Sequence, residues 1–151
     1  MINTDLIKQL REQTGISIME CKKALEETSG DLAEAKKILQ KKGIEKAEKK
    51  ADRETKQGII SSYIHATGRV GAMVELLCET DFVARTDDFL ELSHEICMQI
   101  AAMDPKDISD LEKQPYIRDN GLTIKDLIKN KILKLGENIK IGRLQRFSIN
   151  E

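Results

Sequence analysis

The sequence predicts an α+β protein in which three short N-terminal helices and a charged linker helix precede a three-stranded antiparallel sheet packed with helices, in the order β-β-α-α-β. Three observations predict it. Helix start and stop residues punctuate residues 3–43 at short intervals, and the hydrophobic period changes from helical to alternating after Gly58. The chain is also poor in aromatics (3%, no Trp), so its core must come from Ile, Leu, Val and Ala. The corresponding divisions are a helical module at 1–43, a linker helix at 44–57 and an α+β core at 58–151. At 151 residues the chain should bury about two-thirds of its unfolded surface, enough for a stable core without disulfides or metals.

Each element has local support. Thr4 can cap a first helix whose Leu6, Ile7 and Leu10 share a face, ending near Thr14-Gly15. Ser17 opens a second helix with Glu20 three residues on, a capping box, and Ile16 and Cys21 stand at the positions of a hydrophobic staple; Gly30 ends it. Asp31 and Glu34 repeat the box for a third helix striped by Leu32, Ala35, Ile38 and Leu39, with Gly43 as its stop. Residues 44–57 are helix formers of interleaved charge with pairs such as Glu45 and Lys49, the pattern of a solvated linker rather than of a phosphate-binding patch.

Ile59 to His65 and Ala72 to Cys78 flank a glycine-containing loop and read as a β-hairpin with apolar residues on both faces. From Thr86 the helical period returns, with Phe89, Leu90, Ser93, Ile96, Cys97 and Ile100 on one side and Glu91, Glu95 and Gln99 directed away, as far as Met103. Asp104-Pro105 stops that helix, and Pro115 and Gly121 mark the following stretch as loop with a short turn near Ile108 to Leu111. Thr123 caps a further helix through Leu127, Ile128, Ile132 and Leu135 to Gly136, and residues 138–149 form a long last strand.

Composition and motifs exclude more than they assign. The net charge is −1, so the chain as a whole attracts neither nucleic acid nor an anionic membrane, and no segment is apolar enough to span a bilayer. No signal-like stretch follows the polar residues Asn3 to Asp5, and Cys21, Cys78 and Cys97 fit neither a disulfide framework nor a metal half-site, so a reducing cytoplasm is expected. Phosphate-loop, dinucleotide, zinc-protease and serine-hydrolase signatures are absent. His65 and His94 read as surface residues, and the adjacent Asp87 and Asp88 as an acidic first helical turn. The expectation is a protein that acts by binding another protein, without catalysis or cofactor.

Two features stand out against that background. With Cys21, Ala24 and Leu25 facing inward, Met19 lies about 160° away beside Lys22 and Lys23. A single exposed apolar residue is common, yet a flexible Met bordered by Ile18, Arg11 and lysines is also what a docking patch looks like. The second is Glu79 to Thr86, between strand and helix. If the helix starts at Thr80, Phe82 shares a face with Phe89, Ile96 and Ile100 and is core, the outcome periodicity favours; if it starts at Thr86, a short junction projects Phe82 and Asp81 outward.

Residues 10–15 (LREQTG) leading into 19–25 (MECKKAL), 79–85 (ETDFVAR) and 136–139 (GENI) together resemble the elongation factor Ts family, the guanine-nucleotide exchange factors of elongation factor Tu. The resemblance covers nearly the whole chain, except that residues 104–122 are short where family members often carry a longer helical insertion, and that a single core unit is present. It implies that residues 1–43 form a ubiquitin-associated-like module docking on elongation factor Tu through Arg11, Ile18 and Met19. It further implies that Thr80, Asp81, Phe82 and Val83 enter the partner's nucleotide site and help dislodge Mg²⁺, which would make Phe82 a wedge and not core. The expected partners are GDP-bound and nucleotide-free elongation factor Tu; the alternative is a ubiquitin-associated-like adaptor without exchange activity.

A homodimer through the sheet is also expected. Ile60, Ile64, Val74 and Leu76 fall on one alternation and Ile59, Tyr63, Met73 and Leu77 on the other, so two helices can cover only one of two apolar faces. Single-core members of the family are dimeric, which the resemblance extends to this chain.

Overall fold

The computed structural model describes residues 1–150. Its elements run α1 (Thr4–Thr14), α2 (Ile18–Glu27), α3 (Leu32–Lys50), β1 (Gln57–Ile64), β2 (Val70–Cys78), α4 (Asp81–Ala84), α5 (Asp87–Met103), α6 (Ile108–Lys113), β3 (Pro115–Tyr116), β4 (Asp119–Thr123), α7 (Ile124–Leu135) and β5 (Ile139–Ser148). The class is α+β, as the sequence predicts.

The first three helices pack around Ile7, Leu10, Ile16, Cys21, Ala24, Leu25, Ala35 and Leu39. Asn3, not Thr4, caps α1: Asn3 has the extended backbone a cap needs, and its side-chain oxygen accepts the Asp5 N–H at 2.9 Å. Ser17 and Asp31 cap α2 and α3, but neither capping box closes. Glu20 turns instead to Lys46 at 3.3 Å and Glu34 to Lys37 at 2.7 Å, because a charged amine is a stronger partner for a carboxylate than a backbone N–H. The staple forms, with Ile16 and Cys21 both buried.

Gly43 does not stop α3, which continues to Lys50. A Cβ there would sit 3.1 Å from Leu133 Cδ2, so the glycine serves the close approach of α3 to α7.

The three-stranded sheet has the order β1-β2-β5, antiparallel throughout. Its register corrects the expected division of faces. Ile59 pairs with Leu76 and Ser61 with Val74, so Ile59, Tyr63, Ala72, Val74 and Leu76 share the core side, while Ile60, Ile64, Met73 and Leu77 share the other. A bulge in β5 opposite Glu75 shifts that strand by one residue, so Ile139 and Ile141 before it and Leu144 after it all face the core.

Residues 104–122, expected as loop with a short turn near Ile108 to Leu111, fold into α6 at the place of that turn and into the β3–β4 hairpin. They cover the side of α5 that was expected to face solvent: Glu95 and Gln99 are buried. Tyr116 donates its hydroxyl to Glu95 at 2.6 Å, and Gln99 donates to the Pro115 carbonyl at 3.1 Å and accepts the Ile117 N–H at 3.0 Å. Burial and the Glu95 carboxylate raise the Tyr116 phenol well above its ordinary range. Leu90, expected on the apolar side, is exposed.

Candidate functional site

Residues 79–86 contain two helix starts, and both are used. Thr80 has extended backbone and accepts the Val83 N–H at 3.4 Å, opening α4. Thr86 is extended again and accepts the Phe89 N–H at 3.2 Å, opening α5. The second cap breaks the helical phase, so Phe82 does not continue the stripe of Phe89, Ile96 and Ile100. Phe89 is fully buried whereas Phe82 is 88% exposed, which overturns the core placement that periodicity favours. Val83 and Ala84 face inward and pin the turn to the core, and Asp81 pairs with Arg85 at 2.7 Å on the surface. Of the four candidate residues, Asp81 and Phe82 are therefore presented outward, and Thr80 and Val83 are turned toward the protein.

The stretch after α7 holds this junction from behind. Glu137 accepts the Thr80 N–H at 2.9 Å and the Thr80 hydroxyl at 2.7 Å. Asn138, buried, donates its backbone N–H to Glu79 at 3.0 Å and its amide to the carbonyls of Ala51 at 3.3 Å and Arg53 at 2.9 Å. Three segments distant in sequence meet here: the end of α3, the β2–α4 junction and the start of β5. In the sequence the GENI stretch is only a mark of resemblance; in the fold its Glu137 and Asn138 are contacts to the junction. A polar run immediately after a helix-ending Gly was the available signal. The Cys78 thiol lies in the same place, donating to the Thr80 carbonyl at 3.1 Å, and burial pushes it up to about 11, with the Glu137 charge adding to the effect.

On the helical module, Arg11 is exposed, as are Ile18 at 53% and Met19 at 68%. The outward placement of Met19 follows from Cys21, Ala24 and Leu25 filling the inner face of α2. Lys22, beside it, pairs with Glu26 at 3.9 Å on the surface. The module is joined to the core where α3 lies along α7 and where Lys134 crosses Gly15 to reach Asp88 on α5 at 2.9 Å. That hydrogen bond, with Lys131 assisting, holds the Asp88 carboxyl below its ordinary range.

The sheet face away from the helices is open. Ile60, Ile64, Met73 and Phe147 are 65, 66, 49 and 71% exposed, around an ion pair between Glu75 and Arg143. Neither α3 nor residues 104–122 folds over it. Phe147 was not among the residues expected there, because its side follows from the bulge.

Cys21, Cys78 and Cys97 are buried free thiols, Cys97 also pushed up to about 11 by burial. Among the described residues, no group of three or more His, Cys, Asp or Glu side chains could hold a metal ion, and no helix is long and apolar enough to cross a membrane.

A family model described as elongation factor TS matches residues 79–151, the span that includes both the Phe82 junction and Glu137. Curated relatives named elongation factor Ts align over nearly their full lengths. The protein of Coprothermobacter proteolyticus is 45% identical over 195 residues, covering 99% of each chain. That of Solibacter usitatus is 43% identical, covering 99% of this chain and 92% of its own, and that of Thermosipho melanesiensis is 40% identical with all of both chains covered. An alignment of 195 positions against 151 residues means that the relatives carry sequence with no counterpart here.

Proposed function

This chain belongs to the elongation factor Ts family and is thus a translation elongation factor; we propose that it acts in the cytoplasm as the guanine-nucleotide exchange factor of elongation factor Tu, releasing GDP by disturbing the partner's Mg²⁺ and phosphate site. The observation that carries this reading is Phe82, 88% exposed on a turn whose Val83 and Ala84 are anchored in the core. A large aromatic held outward on a capped turn is poor for folding and suited to insertion into a second protein.

Residues 1–43 would supply affinity, as a ubiquitin-associated-like module docking through Arg11, Ile18 and Met19; residues 44–57 would link it to the core of residues 58–151, which presents the wedge. Thr80 and Val83 seat the turn, Asp81 sits at its outer edge, and Phe82 enters the partner. In GTPases the bound Mg²⁺ bridges phosphate oxygens and protein side chains, so displacing those elements weakens the hold on nucleotide. No bond is made or broken by this chain. Coupling is reciprocal: whatever factor the chain adds to GDP dissociation, GDP subtracts from binding of the chain, and incoming GTP expels it.

The open sheet face would bury itself against a second copy, whose Ile60, Ile64, Met73 and Phe147 would meet the same residues across a two-fold axis. The test of the exchange activity is release of labelled GDP from purified elongation factor Tu. The rate should rise with this protein and saturate. Binding through residues 1–43 alone, with release unchanged by the full chain, would favour the adaptor.

A further inference from the structure

A carboxylate has two oxygens, and both oxygens of Glu137 are directed at one residue of the exchange element. Oε1 accepts the Thr80 N–H and Oε2 accepts its hydroxyl proton. With that proton committed, only lone pairs of Thr80 Oγ1 face the Val83 N–H at 3.4 Å, so the carboxylate fixes the direction of the bond that caps α4. The cap matters because α4 has four residues, too few to sustain a helix by its own hydrogen bonds. Phe82 is too exposed for packing to hold it, and its direction is inherited from the turn. Glu137 itself stands on a firm base, between the left-handed Gly136 that ends α7 and the buried Asn138.

We propose that Glu137 is a positioning residue for nucleotide exchange: it acts through Thr80 to set the turn from which Phe82 projects. This rests on the exchange role of Phe82. Glu137→Gln tests it with little change of shape, because the amide places an N–H₂ where Thr80 presents its own O–H. Either the bond is lost or the hydroxyl reverses and donates elsewhere, and in both cases the charge-assisted bond that fixes the direction of Thr80 Oγ1 is gone. Thr80→Val removes that bond together with the cap oxygen itself, and Thr80→Ser retains both.

Two readouts separate positioning from wedge action. The chain has no Trp, so Phe82→Trp makes a single reporter at the exposed site. Its time-resolved anisotropy should show a freer indole once Glu137→Gln or Thr80→Val is added, and the original mobility with Thr80→Ser. In chains that keep Phe82, Glu137→Gln should lower the saturating rate of GDP release from elongation factor Tu by roughly tenfold, the size expected for a charged hydrogen bond, with the half-saturating concentration unchanged. An indole equally restrained in the folded Glu137→Gln and Thr80→Val proteins overturns the proposal, as does an effect confined to half-saturation. If the indole loosens while Phe82→Ala leaves release untouched, Glu137 still positions the turn and it is the exchange role of Phe82 that fails.

Discussion

Replacing Phe82 by Ala should damage exchange without damaging the fold. Complete burial of a Phe makes truncation to Ala cost about 3–5 kcal/mol, but Phe82 keeps 88% of its accessible surface, so roughly a tenth of that contribution is at stake. The folding cost is then under about 0.5 kcal/mol, a shift in Tm below about 2 °C for a chain of this size. In the complex the same ring would be desolvated at the centre of the contact, where truncating an aromatic costs about 2–4 kcal/mol, or ~30-fold or more in rate. Stopped-flow release of a fluorescent GDP from elongation factor Tu, at saturating concentrations of each variant, measures the second quantity and a thermal melt the first. A variant that melts many degrees lower would mean that Phe82 is core in solution. One that folds normally and releases GDP at the wild-type rate would remove Phe82 from the mechanism.

Met19→Ala should raise the concentration needed for half-maximal release by about 5- to 30-fold and leave the plateau in place, since Met19 is exposed on the helical module proposed to dock, away from Phe82; a lowered plateau at constant half-saturation would refute that division. Sedimentation equilibrium at micromolar concentration should give twice 17.1 kDa, falling to 17.1 kDa when Met73→Asp places a charge on the open sheet face; a monomeric wild type would remove the dimer. Asp88, held below its usual 3.8 chiefly by the Lys134 hydrogen bond, contributes stability that is present above that value and lost as pH falls through its lower folded value. Asp88→Asn should therefore be less stable than wild type at neutral pH, with the gap closing in urea titrations carried toward pH 3. A pH-independent gap would mean that the ion pair to α7 is not its source.

What could be read from the sequence was local. Ser17, Asp31, Thr86 and Thr123 each cap the helix they announce, because a cap is decided within four residues. Met19 could be placed outward because the inner face of α2 was already filled. What could not be read depended on distant segments. Gly43 looks like a stop until Leu133 is known to lie against it, and Glu95 and Gln99 look solvated until residues 114–118 cover them. The pairing of Ile60 with Glu75, and not with Val74 or Leu76, is set by the hairpin register, which alternation within single strands does not contain. Phe82 stood between the two cases: its seven-residue spacing from Phe89 favoured the core, and the extended backbone at Thr86 broke the phase that the spacing assumed. The Glu137 clamp spans 57 residues of sequence and had no local mark beyond its place after Gly136.

An exchange factor can act only through a difference in its affinity for the two states of its partner, since equal affinity shifts no equilibrium however tight the binding. The most direct measurement is the dissociation constant of this chain for nucleotide-free elongation factor Tu and for its GDP·Mg²⁺ complex, by calorimetry under one set of conditions. Nucleotide-free partner should bind far more tightly, with a ratio equal to the factor by which the chain weakens GDP binding and with Phe82→Ala reducing both together. Equal constants for the two forms would contradict the account and leave a binding module without exchange activity.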